Sequence, residues 1–335
     1  MKKLNKIILY QGINKSVTEY YYYIIISALK DDNTKVLSFN HWKKFLFCER
    51  NALCVVGEAK HLFILYALGF RKFVFWAQGA VGYESFMRHQ SKFRFRLLSS
   101  LEKFALKRAK ICVCVSNYQM EFYEQTYSIK IKSKCVVFPC FNTKIHPDSF
   151  YNENKYRKNV FCYIGSLAVW QCFDETVRLY SLIERDFGDV CLLKIYTKDK
   201  NEAEKTLLKY RVKNYIIDYI PSDKLNAALA DCKYGFLLRK NNVVNNVATP
   251  TKLSTYLANG IIPIFSDSLK ECASLCSKYK HLLCISDMSC ITPILNHMQQ
   301  IINASDIYSE YSKIFDEYYN EQIYIDKLKR IKSVI

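Results

Sequence analysis

The sequence predicts an α/β protein built from two doubly wound parallel sheets. Strand-like and helix-like segments alternate along most of the 335 residues, the strand-like runs are continuously apolar, and one polar segment divides the alternation into two blocks. Continuously apolar strands that alternate with helices are typical of parallel sheets covered on both faces. The length and the 50% hydrophobic content are sufficient for about two domains, each with its own core.

The first block is expected to begin with a strand and a tyrosine-rich helix. Its strands are short apolar runs, at residues 6–11, 35–39, 52–56, 73–78, 111–115 and 135–138. Its helices have the 3.6-residue apolar period, at residues 16–29, 58–68, 84–110 and 117–127. The segment 84–110 is expected to form one long helical stretch.

A polar segment, 142–158, contains Pro147 and is expected to be the interdomain linker. The strands expected after it are 160–164, 190–196, 215–220, 234–238, 261–265 and 282–285. The helices expected between and after those strands are 174–185, 201–213, 222–230, 252–259, 268–279 and 289–303. The predicted domains are therefore 1–150 and 151–303, followed by helices over 304–335 that are expected to pack back on the first domain.

The stretch 234–267 predicts an anion site in the second block. Arg239 and Lys240 end its first strand, and Pro250, Thr251 and Lys252 open the following helix. Free N–H groups at a helix start attract anions, and the carboxyl ends of parallel strands lie on one rim of the sheet. A phosphorylated ligand fits such a rim. The alternative is a basic strand end in solvent beside an ordinary capped helix.

Two further strand ends are candidate ligand sites. Gly165 and Ser166 form the first strand-to-helix turn of the second block, which is the usual place for a backbone cradle around phosphate. Gln78 and Gly79 end a strand of the first block, and Glu84 follows them. Ligands of open parallel sheets bind outside such strand ends. The alternative is that the glycines only shape turns.

The cysteines and the apolar runs indicate a cytoplasmic protein. The 14 cysteines are spread evenly, lie mostly in apolar strand-like runs and form no Cys-x-x-Cys pair, so reduced thiols are expected rather than disulfides or a zinc site. The longest aromatic and aliphatic run, 20–29, is about half of a membrane span. No transmembrane segment and no export are expected, because the first apolar run is also too short for a secretory signal.

The net charge of +18 is concentrated in the first block. Residues 1–150 carry 24 basic and 10 acidic side chains, whereas residues 151–335 carry 25 and 21. Nucleic acid and an anionic membrane surface are the two candidate partners. No recognised nucleic-acid module is visible, and the cations Arg88, Lys92, Arg94 and Arg96 are interleaved with apolar residues as in helices that lie on bilayers. The alternative is an ordinary solvated helix face.

Several motifs, in this order and spacing, resemble one enzyme family. They are Trp76-Ala77-Gln78-Gly79 with Glu84, Leu101-Glu102-Lys103, Tyr163-Ile164-Gly165-Ser166-Leu167 with Trp170, Leu238-Arg239-Lys240, and Pro250-Thr251-Lys252 with Tyr256-Leu257-Ala258-Asn259-Gly260. Over most of its length the chain resembles GT-B glycosyltransferases of the family-four type, from the branch that builds bacterial surface polysaccharides.

The resemblance implies two Rossmann-like domains that face each other across a cleft. A nucleotide-sugar donor would bind the second domain, through Gly165, Ser166, Arg239, Lys240, Pro250, Thr251, Lys252 and Thr255. A growing surface glycan or a lipid-linked acceptor would bind the first domain, through Gln78, Gly79 and Glu84. The catalytic residues would be Glu84, Arg239 and Lys252. Retention of configuration is implied, with no metal and no cofactor, at the inner face of the cell membrane or free in the cytoplasm.

The chain departs from the family at two positions. Family-four enzymes usually carry two glutamates eight positions apart that grip the donor ribose, and this chain has Val247 and Thr255 there. A threonine can offer one hydroxyl but not a charged bidentate acceptor. The alternative function is therefore a catalytically weak relative that binds or scaffolds other proteins of polysaccharide assembly.

Overall fold

The computed structural model describes residues 6–11, 16–39 and 48–332. They form two compact units. The first runs to Pro139 and resumes at Asn320, and the second is Cys140–Tyr319.

The first unit alternates strands and helices as the sequence predicts. Its elements are β1 (Lys6–Gln11), α1 (Ser16–Leu29), β2 (Thr34–Phe39), β3 (Leu53–Val56), α2 (Ala59–Ala67), β4 (Lys72–Ala77), α3 (Val81–His89), α4 (Lys92–Arg108), β5 (Ile111–Cys114), α5 (Asn117–Tyr127) and β6 (Cys135–Val137). The strands pair in parallel, in the order β2-β1-β3-β4-β5-β6. All four residues of β5 are buried, because helices cover both faces of the sheet.

The second unit contains β7 (Asn159–Ile164), α6 (Phe173–Phe187), β8 (Cys191–Tyr196), α7 (Lys200–Lys209), β9 (Tyr215–Asp218), α8 (Leu225–Leu229), β10 (Tyr234–Leu237), α9 (Val243–Asn246), α10 (Thr251–Ala258), β11 (Ile262–Ser266), α11 (Lys270–Ala273), β12 (Leu283–Ile285), α12 (Thr292–Met298) and α13 (Ala304–Glu317). A last helix, α14 (Glu321–Lys332), belongs to the first unit. The predicted fold class, α/β with two doubly wound sheets, is confirmed.

The strand order of the second sheet fixes where a ligand can bind. The order is β12-β11-β10-β7-β8-β9, and all the pairs are parallel. The direction of winding reverses between β7 and β10, and open α/β sheets bind ligands in the crevice at such a reversal. Gly165 follows β7, and Arg239 lies just beyond β10. The topology therefore brings these two candidate residues to the same crevice.

The basic segment 84–110 is two helices rather than the single helix that we predict from the sequence. Gln90 ends α3 in the left-handed conformation, with a φ of 51°. The Ser91 hydroxyl then caps α4 by accepting a hydrogen bond from the backbone N–H of Arg94, at 3.3 Å. A serine that competes for backbone N–H groups favours a helix start, and this preference overrides the continuous apolar pattern.

The polar segment 142–158, which we predict to be a linker, is an integral part of the second unit. Phe150 is fully buried there. The buried Lys155 donates hydrogen bonds to the backbone carbonyls of Ser149 and Asn259, and burial lowers its pKa to about 8. Lys155 thereby satisfies a carbonyl just beyond the end of α10, which the helix itself leaves unpaired.

The two C-terminal helices pack on different units. In the second unit the Tyr311 hydroxyl on α13 donates to the backbone carbonyl of His281, at 2.9 Å. In the first unit Tyr324 on α14 stacks on Phe138, with ring centroids 4.7 Å apart, and Tyr20 on α1 donates to Glu321. The expectation that helices pack back on the first unit therefore holds for α14, whereas α13 lies with the second.

The 14 cysteines are all free thiols. Among the described residues, no helix combines the length and the hydropathy that a membrane span requires.

Close packing of α10 on β10 sets the geometry of the crevice, and Gly235→Ala tests it. A Cβ atom at Gly235 would lie 2.8 Å from three ring atoms of Tyr256. Because overpacking displaces side chains or backbone, the substitution should lower the free energy of unfolding by about 1 to 3 kcal/mol. Urea denaturation would measure the change. The exposed Leu208→Ala serves as the control and should change stability by less than about 0.5 kcal/mol. An unchanged midpoint for Gly235→Ala would contradict this packing.

Candidate functional site

Gly165 turns the chain out of β7 at the crevice of the second sheet. Its φ of +107° lies in the region that favours glycine, and its N–H donates to the Tyr196 carbonyl at 2.9 Å. A Cβ atom there would lie 2.9 Å from Cε of Lys252 and 3.1 Å from its Nζ. Glycine therefore permits both the turn and the close approach of the lysine side chain.

Two cations meet at this crevice on a single neutral oxygen. Nη2 of Arg239 donates to Oε1 of Gln171 at 2.6 Å, and Nζ of Lys252 donates to the same oxygen at 2.6 Å. Nη1 of Arg239 also donates to the Gln171 backbone carbonyl at 3.2 Å. Arg239 is only 4% exposed, whereas Lys252 is half-buried, with its Nζ 4.5 Å from the centre of the Tyr163 ring.

The charges of this pair are not balanced within the described part of the chain. Neither Arg239 nor Lys252 has an ion pair there. Burial, together with the neighbouring charge of Arg239, lowers the pKa of Lys252 well below its ordinary value. Burial also lowers the pKa of Arg239, although a guanidinium stays charged in proteins. An anion in the crevice would relieve the repulsion between the two cations.

Two buried serines, one at the end of the neighbouring strand β11 and one just beyond it, fix the backbone of Arg239. Its N–H donates to the Ser266 hydroxyl at 2.9 Å, and its carbonyl accepts a hydrogen bond from the Ser268 hydroxyl at 2.8 Å. On the other side, the Tyr256 hydroxyl on α10 donates to the Phe236 carbonyl at 3.1 Å and so holds the helix that carries Lys252. Both cations thus extend from elements anchored in the core.

A pocket of about 520 Å³ adjoins Lys252. It lies at the carboxyl ends of β7, β8 and β9, and its lining includes Gly165, Ser166, Thr197, Tyr219, Leu225 and Lys252. The Asp199 carboxylate accepts a hydrogen bond from the Leu167 N–H at 3.3 Å, and the Tyr163 hydroxyl donates to the Ser166 carbonyl at 2.7 Å. The volume is in the range of small-molecule sites and has room for a nucleoside.

The other residues of the second unit that we predict to bind the donor either lie at the edge of the crevice or form interactions elsewhere. Lys240 forms an ion pair with Glu175, at 2.5 Å. It does not share the hydrogen bond to Gln171 that Arg239 and Lys252 form. Pro250 is the residue that precedes α10, and Thr251 is the first residue of the helix. The Thr255 hydroxyl donates to the Thr251 carbonyl one turn earlier.

Val247 lies just after α9 and is only 3% exposed. A carboxylate in such an apolar place would be costly. The two positions that the resemblance aligns with glutamates, 247 and 255, therefore hold one buried apolar side chain and one hydroxyl that bonds within its own helix.

In the first unit Gly79 and Glu84 lie together at the carboxyl end of β4, and Gln78 beside them is exposed. The Glu84 carboxylate packs against Gly79, in the space that a side chain there would fill. Burial raises the pKa of Glu84, and the charge of Arg88 opposes this rise.

A buried carboxylate, Glu102, ties this strand end to α3 and α5. Its Oε1 accepts hydrogen bonds from the Val81 N–H at 3.2 Å and the Tyr123 hydroxyl at 3.0 Å, and its Oε2 accepts one from Tyr127 at 2.7 Å. Tyr123 also lies 2.7 Å from the Gly79 carbonyl. Burial raises the pKa of Glu102 to about 7, although these hydrogen bonds lower it in part.

Gln171 is a site residue that the sequence did not single out, and Glu102 entered only through the motif Leu101-Glu102-Lys103, with no role assigned to it. Gln171 follows Trp170 in a polar turn and carries no pattern of its own. Glu102 had a signal, because it is the only acid among eight basic residues between Ser85 and Lys110. A lone acid on the apolar side of a basic helix is a candidate for a buried, hydrogen-bonded carboxylate.

No protein-family model and no curated protein sequence matches the chain. Solved structures do match. A trehalose-6-phosphate protein from E. coli, bound with UDP-2-fluoro glucose, has a TM-score of 0.68 at 9% identity and covers 98% of this chain and 100% of its own. A glycosyltransferase from Rickettsia africae has a TM-score of 0.65 at 11% identity, with 99% of each chain covered.

A TarM mutant from S. aureus, in complex with fondaparinux, alpha-GlcNAc-glycerol and UDP, has a TM-score of 0.62 at 9% identity. The match covers 85% of this chain and 56% of TarM, so this chain spans about half the length of that protein. Together with the two parallel six-stranded sheets, these likenesses show that the chain has the GT-B fold.

Proposed function

We propose that the chain is a glycosyltransferase and that its second unit holds the diphosphate of a nucleotide-sugar donor. The observation that carries this proposal is the meeting of Arg239 and Lys252 on one neutral oxygen, beside Gly165, at the reversal of strand order. The uncompensated positive charge suits an anion, and the adjoining pocket suits the nucleoside attached to it.

The pair would act on the leaving group. When the bond between sugar and phosphate breaks, the departing nucleoside diphosphate gains negative charge. Fixed cations stabilise that charge more in the transition state than in the ground state, and this difference accelerates the reaction. Arg239 and Lys252 meet the requirement of fixed position, because both extend from anchored backbone. Their two charges are the reason why we propose a metal-independent transfer, with retention of configuration as the family resemblance implies.

The acceptor would bind the first unit at the end of β4, where Gln78, Gly79 and Glu84 lie together. Glu84 is a carboxylate whose pKa burial raises, and a carboxyl group beside a bound hydroxyl can accept its proton or donate one to it. A growing surface glycan or a lipid-linked sugar, as in capsule or lipopolysaccharide assembly, offers the hydroxyl groups that this site would orient.

The exposed side chains of helix α4 favour a peripheral position of the protein on an anionic membrane. At its N-terminal half the apolar side chains Phe93 and Leu97 are 76% and 49% exposed, and the cations Lys92, Arg94 and Arg96 surround them. Apolar side chains flanked by cations are the pattern of helices that lie in the headgroup region of a bilayer. Arg88, at the end of α3, is also exposed and adds to this surface. A lipid-linked acceptor would then be reached at the inner face of the cell membrane.

A catalytically weak relative is the second candidate. The buried Val247 and the internally bonded Thr255 remove the two carboxylates with which family-four enzymes grip the ribose. A scaffold protein would bind nucleotides without turnover.

The test is a panel of nucleotide-sugars, scored by thermal shift and by release of nucleoside diphosphate. A ligand at about 100 times its dissociation constant should add roughly 2.7 kcal/mol of stability. Arg239→Ala and Lys252→Ala should each weaken binding by about 1.5 to 3 kcal/mol, because each removes a charge-assisted contact. Calorimetry would measure the change. Lys205→Ala, on the exposed face of α7, is the control. Wild-type affinity in both site variants would exclude the site, and binding without turnover would favour the scaffold function.

Proton uptake should accompany nucleoside diphosphate binding. The pKa of Lys252 lies well below 10.5 in the ligand-free protein, and a bound anion should raise it again. Between these two pKa values binding should take up at most about one proton, and affinity should fall as the pH rises through this window. Calorimetry in buffers of different ionisation enthalpy measures the uptake. Lys252→Arg, which is always charged, should abolish it. Equal uptake in wild type and Lys252→Arg would refute the assignment.

Removal of cations from the α3–α4 surface should weaken vesicle binding. Replacement of Arg88, Lys92, Arg94 and Arg96 by glutamine should cost about 1 kcal/mol per residue near an anionic surface. Flotation with vesicles that contain anionic lipid gives the measurement. The matched control removes four exposed cations of the second unit, with Arg185, Lys205, Lys213 and Lys224 changed to glutamine. If both variants lose binding equally, only net charge matters and α4 is a solvated face.

A further inference from the structure

Gln171 occupies the position in which an anion would be expected. Its side-chain oxygen is shared by Nη2 of Arg239 and Nζ of Lys252, each at 2.6 Å. Both cations can only donate hydrogen bonds, so the acceptor end of the amide must face them. An amide oxygen carries no net charge, however, and leaves the two positive charges uncompensated.

The backbone at Gln171 is held in place by contacts that do not involve the Gln171 side chain. Val169–Gln171 form a short 3-10 turn, and Cys172 after it has a φ of 50°, a left-handed conformation that is uncommon outside glycine. Both the N–H and the hydroxyl of Thr176 donate to the Cys172 carbonyl, which ties the turn to the start of α6. The Gln171 carbonyl also accepts a hydrogen bond from Arg239. This backbone contact can persist while the half-buried side chain rotates away.

We infer that the Gln171 side chain is a placeholder for the donor diphosphate. It keeps Arg239 and Lys252 together in the absence of a donor, and the diphosphate displaces it on binding. The inference rests on the proposed function for the identity of the donor, but the placeholder itself requires only that an anion binds the pair. Gln171 is thus a positioning residue. A donor can bind only if its contacts with the two cations are stronger than those of the Gln171 amide oxygen.

The relative strength of the two acceptors makes the exchange favourable. A hydrogen bond from a cation to an ionised oxygen is about twice as strong as one to a neutral oxygen. A phosphate oxygen therefore displaces the amide oxygen from the two cations, whereas a water molecule does not. A neutral side chain can bind both cations and still be displaced by a diphosphate. A carboxylate at the same position would bind the cations too strongly to be displaced.

The experiment compares two substitutions at this position with inorganic pyrophosphate and UDP as probes. Gln171→Glu places a permanent anion between the cations, so the ligand-free melting temperature should rise and the affinity for both probes should fall by at least about tenfold. Gln171→Met keeps the length of the side chain and removes the competing acceptor, so the affinity for pyrophosphate should rise by about three- to tenfold. Val169→Glu, which adds the same charge at an exposed position of the same turn, is the matched control and should behave as wild type.

The outcomes separate the two proposals. Wild-type affinity in Gln171→Glu, or a lower melting temperature than wild type, would overturn the placeholder and leave the glycosyltransferase intact. Unchanged or weaker pyrophosphate binding by Gln171→Met would also overturn it, since the side chain would then assist the anion. If wild type binds pyrophosphate but no nucleotide, and both variants respond as expected, the placeholder stands and the proposed donor is wrong. Binding of neither probe by wild type would refute both.

Discussion

The meeting of two cations on one amide oxygen is the interaction on which the second unit is centred. Like charges this close repel, so the fold must hold each of them from behind. The buried Ser266 and Ser268 fix the backbone of Arg239, and the contact of Tyr256 with β10 holds the helix that carries Lys252. The reversal of strand order then opens the crevice to which both cations extend. Core packing thus supports a site that is electrostatically unfavourable until an anion arrives.

Apolar runs were sufficient to predict both sheets, because each buried strand needs a continuous apolar sequence whatever its neighbours are. The predicted bounds of α5, Asn117–Tyr127, agree with the structure, in which Ser116 caps the helix. The break between α3 and α4 was missed because the continuous apolar pattern concealed the local signal of Ser91, which caps α4. The polar composition of 142–158 concealed the buried Phe150 and Lys155, whose burial depends on tertiary contacts.

The candidate site was predictable only in part. Gly165, Arg239 and Lys252 could be placed on one rim because strand ends of a parallel sheet share an edge. The sequence assigned both Arg239 and Lys240 to the donor site, and it gave no sign that Lys240 pairs with Glu175, which lies more than sixty positions earlier in the chain. Gln171 was not predictable, because its role arises from two hydrogen bonds to residues 68 and 81 positions away. Composition shows that a region is basic, and only the fold shows which cations share an acceptor.

The position of α14 has a consequence for the order in which the protein forms during synthesis. The second unit is one continuous stretch, Cys140–Tyr319, so its whole sequence is synthesised before Glu321–Lys332 is made. The first unit, although its sheet is translated first, is complete only when Tyr324 can stack on Phe138 and Leu328 can be buried. Until then the surface of α1 that α14 covers is open to water. Because domains generally fold as units during translation, the second unit has its complete sequence available before the first unit does.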